Sequence, residues 1–322
     1  MNSFSSRAYS GAADLELLID FAQMTTGARW PGSTYQKVGD VVWMLYATGF
    51  DPNIRLWFDA DGLAAYAWFE PPAGVDFGFD LRPDLSQYDS LADEILGWAE
   101  ERRQSLANLG RESTPKAYAM LLGDTLTATK LSSTALDSDS RRISLLERHG
   151  FRRVDGFIVL CSRALFDAPI STPDLPAGLR LRHATDADLE ARVDVHRDAW
   201  SVWGPSRATV ENYRRLRSAP LYDPELDVVL EDPDGRFLSY CIGWADTANA
   251  IGHFEPVGCR PDSTGRGFAR AVTIEAMRRM QARGLRTALV STASVNERAR
   301  VLYPSCGFVE VDRAHYYVKE PG

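Results

Sequence analysis

The apolar positions in the second half of the chain change period repeatedly, and each change predicts an element. Alternating or short continuous apolar runs near 179–184, 227–231, 237–244, 250–259, 286–291 and 308–318 predict strands. Helical spacing near 186–199, 207–217, 265–283 and 296–304 predicts helices. Thr185-Asp-Ala-Asp188 has the spacing of a capping box and opens the first of them. The order β-α-α-β-β-β-α-β-α-β mixes hairpins with crossovers, which predicts an α/β fold with a mixed sheet.

The first half shows the same landmarks in the same order. Arg7-Ala-Tyr9 precedes a capped apolar run through Asp14 and Leu15 to Phe21, as the strand near 179–184 precedes its helix. Asp59-Ala-Asp61-Gly62 and Asp232-Pro-Asp234-Gly235 both read as hairpin turns between strands. Leu81-Arg-Pro-Asp84 recurs as Cys259-Arg-Pro-Asp262, and Leu145-Leu146 before Gly150-Phe151 recurs as Leu302-Tyr303 before Gly307-Phe308. Four matched landmarks predict an internal repeat. Between the copies, residues 169–178 hold Pro169, Pro173, Pro176 and Gly178, which break helix and strand alike. The expected division is 1–168, a linker at 169–178, and 179–322, with the two domains packed on each other.

Composition fits this picture. The chain has 322 residues, enough for two domains of about 150 each. It is 45% hydrophobic and 25% charged, as a folded protein is. Its net charge of −8 argues against a nucleic-acid partner. No apolar run is long enough to predict a membrane span, and the first residues lack the apolar stretch of a secretory leader, so a cytoplasmic protein is expected. Cys161, Cys241, Cys259 and Cys306 form no CxxC, and the five histidines have no metal-ligand spacing. Free thiols and no metal are therefore expected.

The most informative segment runs from Gly252 to Arg270. A strand ends, a short loop follows, and Gly265 and Gly267 stand where a long helix starts. Small residues at that junction let backbone amides converge, and the helix N-terminus adds positive potential. With Arg266 and Arg270 beside them, they suit a pyrophosphate.

Here the sequence resembles the GNAT family of acyl-CoA-dependent N-acetyltransferases. The family's Q/R-x-x-G-x-G/A motif stands as Thr264-Gly265-Arg266-Gly267-Phe268-Ala269, with Thr264 in place of Gln or Arg. A second family segment, N-x-x-A-x-x-L-Y-x-x-x-G-F, is matched from Asn296 through Ala299, Leu302, Tyr303 and Gly307 to Phe308. The resemblance covers about 140 residues from 179 onward, and the repeat extends it to the first half. It implies two tandem GNAT-like domains, each a mostly antiparallel mixed sheet with a central parallel pair flanked by helices. It also implies acetyl-CoA as co-substrate and acetylation of a primary amine on a small molecule, by direct attack in a ternary complex. A CoA-binding sensor, or a protein amine as acceptor, are the alternatives.

The resemblance also implies roles. Thr264 to Arg270 would hold pyrophosphate, Val257, Gly258 and Cys259 would line pantetheine, and Asn296 would bond the CoA arm as well as cap its helix. Glu255 at the end of a core strand is the candidate general base. Tyr303 is the candidate acid for the departing thiolate. Nothing near Cys259 lowers its pKa, so no acyl-enzyme is expected. Trp43, Trp57, Trp68 and Trp203 are either core or an aromatic cage for a cationic acceptor; His315, Tyr316 and Tyr317 are either pocket walls or edge packing. The first half has no glycine after Leu81-Arg-Pro-Asp84, and it places Asp139 opposite Asn296 and Leu146 opposite Tyr303. It is expected to be a non-catalytic copy.

Overall fold

The computed structural model describes residues 4–29, 34–46, 53–69, 76–107 and 130–320. Besides short 3-10 turns, the first half runs β1 (Ser5–Ala8), α1 (Ala12–Arg29), α2 (Val38–Tyr46), β2 (Asn53–Asp59), β3 (Gly62–Phe69), β4 (Phe77–Leu81), α3 (Tyr88–Ala107), β5 (Leu131–Leu136), α4 (Ser140–Arg148) and β6 (Arg152–Ala164). The second half repeats the order: β7 (Arg180–His183), α5 (Leu189–Trp200), α6 (Val210–Arg217), β8 (Asp227–Glu231), β9 (Phe237–Asp246), β10 (Ile251–Cys259), α7 (Phe268–Ala282), β11 (Thr287–Ala293), α8 (Glu297–Ser305) and β12 (Val309–Lys319).

Local chemistry sets these boundaries. The Thr185–Asp188 capping box forms just before α5. Asp139 and Asn296 both cap their helices, accepting from Arg142 N and Ala299 N. Both helices end on a left-handed glycine, Gly150 or Gly307, each at φ 83°. The amides of Phe151 and Phe308 close the turns onto Leu146 O and Tyr303 O. Helix α7 starts at Phe268 rather than at 265, because Gly265 and Gly267 are left-handed and cannot belong to its first turn.

A four-stranded sheet, β1-β2-β3-β4, and an eight-stranded one, β5-β12-β6-β11-β10-β9-β8-β7, hold the two halves. A parallel bridge from Asp76 to Ser132 joins them. The last strands are exchanged. β12 lies between β5 and β6, while β6 lies between β12 and β11. Each half thus completes its sheet with the other's final strand.

The two faces of the second half's sheet have different neighbours. A Cβ on Gly252 would lie 2.4 Å from Met280 of α7, so Gly252 and its face-mate Phe254 look toward α7. A Cβ on Gly39 of α2 would lie 2.8 Å from His253, so His253 looks toward the first half. Leu18, Val41, Val42 and Leu56 pack there against Val193, Leu216, Ile242 and Trp244 in one apolar cluster. Burial at this seam fixes α2 over β9 and β10.

Candidate active site

β10 and β11 are the parallel pair, and their register covers only Ile251–His253 with Thr287–Leu289. Beyond that, β10 bulges between Phe254 and Val257 while staying paired to β9, and β11 stays paired to β6. The strands diverge into a crevice along one edge of β10, at the switch point where open α/β sheets bind ligands. The Trp244 indole N–H donates to Glu255 O at 2.7 Å and pins the bulge.

The glycine cradle lies beyond the end of β10. Gly265 and Gly267 have φ of 78° and 79°, and a Cβ on either would meet nothing within 4 Å. Gly267 is the N-cap of α7, and no side chain caps that turn, so its first amides remain available to an anion. The flanking side chains are only partly committed to it. Thr264 Oγ1 donates to Pro261 O at 2.9 Å, and Arg270 Nε donates to Ser305 O at 3.1 Å. Phe268 is buried in the core beneath the exposed Arg266 guanidinium, 4.7 Å from the ring centroid. Gly258 has a packing reason of its own: a Cβ there would lie 2.5 Å from Tyr240. Burial raises the pKa of Cys259 although Ser239 opposes the shift, leaving a thiol rather than a thiolate.

Glu255 and Tyr303 lie on opposite sides of the crevice. Glu255 is half-buried and shares the α2-facing side with His253. Tyr303 is buried on the other side with Phe254, Phe268 and Phe308, its ring edge-on to Phe308 at 5.9 Å. Burial first, and the charge of Glu255 second, raise the Tyr303 pKa, so the phenol stays protonated.

The α2-facing side also collects residues that sequence spacing could not assemble. Asp40 of α2 lies 3.5 Å from His253 Nε2, and Lys37 Nζ lies 3.4 Å from the other Asp40 oxygen. Burial works to raise the Asp40 pKa, but Lys37 and His253 hold it below the usual carboxylate range. Burial pushes His253 down to about 4 against the pull of Asp40, so the ring is neutral at pH 7. Nearby, the Tyr240 hydroxyl accepts from Trp200 Nε1 at 2.8 Å and meets His196 Nδ1 at 2.6 Å. Trp43 from the first half tilts against His196, with centroids 5.7 Å apart.

The four tryptophans do not make one cage. Trp57 and Trp68 are core residues of the first half, and Trp43 sits on the His196 cluster. Of the last-strand aromatics, Tyr316 lines a cavity of about 140 Å³ beside β4 and β5 of the first half, with Lys37, Phe77, Thr134, Arg142 and Ser291 also in its wall. Tyr317 belongs to the first half's core.

The fold is similar to that of solved tandem GNAT proteins. Residues 192–308 match the model of the acetyltransferase (GNAT) family. A tandem GNAT protein from the clavulanic acid biosynthesis pathway superposes with a TM-score of 0.67 at 13% identity, covering 99% of both chains. A GCN5-related N-acetyltransferase from Sphaerobacter thermophilus gives 0.63 at 23% identity, covering 98% of this chain and 95% of that one. Among curated proteins, the mycothiol acetyltransferase of Saccharomonospora viridis is 27% identical over 185 residues, 54% of this chain and 60% of that one. The mycothiol acetyltransferase of Beutenbergia cavernae is 33% identical over 149 residues, 45% of this chain and 49% of that one. The matched region thus spans between half and three-fifths of these relatives. No helix among the described residues is long and apolar enough to cross a membrane.

Proposed function

We propose that this protein transfers an acetyl group from acetyl-CoA to a primary amine of a small molecule. One observation carries the reading: the crevice beside β10 runs from an open glycine cradle to a point with a carboxylate on one side and a buried phenol on the other. The cradle and α7 would hold pyrophosphate, and the unpaired edge of β10 at Val257–Cys259 would hold pantetheine. The family resemblance gives Asn296 a contact to the CoA arm besides its cap.

In this mechanism Glu255 takes a proton from the ammonium, and the neutral amine attacks the thioester carbonyl. The Val257 amide would stabilise the oxyanion. The intermediate collapses by breaking the C–S bond, and Tyr303 gives its proton to the leaving sulfur. Base and acid on opposite sides match an amine that enters on one side and a thiol that leaves on the other.

α2 of the first half packs over β9 and β10 on the side that Glu255 shares. That cover favours a small acceptor over a protein terminus. Free thiols and acetyl-CoA use both suit the cytoplasm. The test is release of free CoA thiol from acetyl-CoA across an amine library that includes the amine precursor of mycothiol, with Gly267→Glu as the control. No turnover with any amine, despite tight acetyl-CoA binding, would instead support a CoA sensor.

A further inference from the structure

Neither sequence spacing nor the transferase mechanism accounts for the surroundings of His253. Its ring is 1% exposed, and neither nitrogen has a hydrogen-bond partner. Such a buried polar group is costly unless something satisfies it. Its Nε2 faces Asp40 Oδ1 at 3.5 Å, too long for a hydrogen bond. Donor atoms of Asp40, His253 and Glu255 all lie within 4.8 Å of one another. No other His, Cys, Asp or Glu side chains among the described residues converge so closely in a group of three or more.

We propose that Asp40, His253 and Glu255 form a binding site for a divalent transition cation of the zinc class, assembled across the seam between the two halves. One imidazole nitrogen and two carboxylate oxygens are a borderline donor set that suits zinc or cobalt better than calcium or magnesium. Around a tetrahedral zinc, neighbouring donors stand about 3.3–3.5 Å apart. The Asp40–His253 separation of 3.5 Å is already close to that spacing. The other separations are at most 4.8 Å, so small side-chain adjustments would bring the three donors to that spacing. Lys37 sits on Asp40 Oδ2 and leaves Oδ1 to the metal. Its charge offsets one carboxylate and so sets the affinity lower than that of an unopposed site. A fourth position would take water.

The site shares Glu255 with the proposed reaction. A bound metal would take the carboxylate lone pairs that the base needs, so metal and acetyl transfer exclude each other. The binding inference stands without the reading of Glu255 as base; the inhibition rests on it.

The full-length protein, stripped of metal, is titrated with zinc by calorimetry and with cobalt by visible absorption. The expected result is one equivalent bound, with cobalt bands of low coordination number. Asp40→Asn and His253→Gln should each weaken binding at least tenfold, since even loss of a supporting contact costs about 10- to 100-fold. X-ray absorption on the zinc-loaded natural protein needs no variant and should show one imidazole, oxygen donors and no sulfur. A sulfur shell, which would place the metal on a cysteine, overturns the site. So does equal affinity in all three proteins. Zinc should also inhibit turnover, and Asp40→Asn should relieve the inhibition. Binding at this site without inhibition leaves the metal site standing and removes Glu255 from the base role.

Discussion

Arg142 occupies in the first half the place that Ala299 occupies in the second, three residues past the N-cap of the matching helix. Ala299 leaves its crevice open, whereas the Arg142 guanidinium bridges the matching gap. It donates to Phe79 O on β4 at 2.7 Å and to Thr134 O on β5 at 2.8 Å. It also stacks between Tyr35 and Phe79, 3.9 and 3.6 Å from their ring centroids. By the repeat's landmarks, Phe79 and Thr134 correspond to Val257 and Ser291, which border the crevice of the second half. Phe77 stands where Glu255 would be. The first half keeps the frame of the crevice, and Arg142 bridges it.

Replacing Arg142 should therefore cost stability and gain no ligand. Arg142→Ala strands two buried carbonyls and should lose about 3 kcal/mol in urea denaturation. Acetyl-CoA should still bind once per chain by calorimetry. Helix α3 opens on Asp89, paired to Arg141 at 2.9 Å, with no glycine to gather amides. A second equivalent bound in the variant would show that the first half retains a working cradle.

The Gly267 prediction concerns the cradle itself. A Cβ there meets nothing within 4 Å, so Gly267→Glu should fold, losing about 1 kcal/mol to the left-handed backbone. Its carboxylate would sit where the pyrophosphate is to bind, and calorimetry should find no acetyl-CoA binding. Unchanged affinity would remove the cradle from the cofactor path.

The second half's elements were legible within a few residues because capping boxes, hairpin aspartates and left-handed glycines act locally. Both cradle glycines and the Asn296 cap could be found the same way. Strand exchange could not, since a period of two tells which face of a strand is buried and not which strand lies beside it. Asp40 and Arg142 were missed for a related reason. One is a carboxylate on a first-half helix, the other an arginine in a charged helical run, and only the packing of α2 and α4 gives either a task.

Tyr303 and Glu255 should separate in kinetics. Tyr303→Phe should lower kcat by about a hundredfold while leaving acetyl-CoA affinity unchanged, because the proton is needed only as the thiol leaves. Glu255→Gln should flatten the acidic limb of the kcat/KM profile. Wild-type constants in either variant, measured with the true acceptor, would make that residue structural.

Two buried histidines should make the fold acid-sensitive before its carboxylates titrate. Burial, helped by Arg192 and Arg197, pushes His196 down to about 3, and His253 is held near 4. Unfolded histidine titrates near 6.5, so between that pH and about 4 the unfolded chain holds more protons. Stability is thus fully present above 6.5 and declines as pH falls, by up to about 1.4 kcal/mol per pH unit for each ring. Denaturation at pH 7, 5.5 and 4.5 should show the decline, and His196→Gln should reduce it. A flat profile down to pH 5 would mean the rings are protonated when folded.

The exchanged strands make the halves interdependent. Without β12, a chain of residues 1–168 leaves β5 and β6 without the strand that joins them, from Leu131↔Lys319 at one side to Val309↔Ser162 at the other. β6 also loses β11, which it meets from Ala164↔Thr287 to Ala293↔Ile158. Three strand edges that are paired in the intact chain would then be bare, one on β5 and two on β6, and bare edges recruit other chains. Expressed alone, each half should be insoluble or oligomeric by light scattering. Expressed together, 1–168 and 169–322 should associate one to one, because each supplies the strand the other lacks. A monomeric 1–168 that unfolds cooperatively by itself would show that its own β5 and β6 can pair directly. The exchange would then be a choice of partner rather than a requirement of the fold.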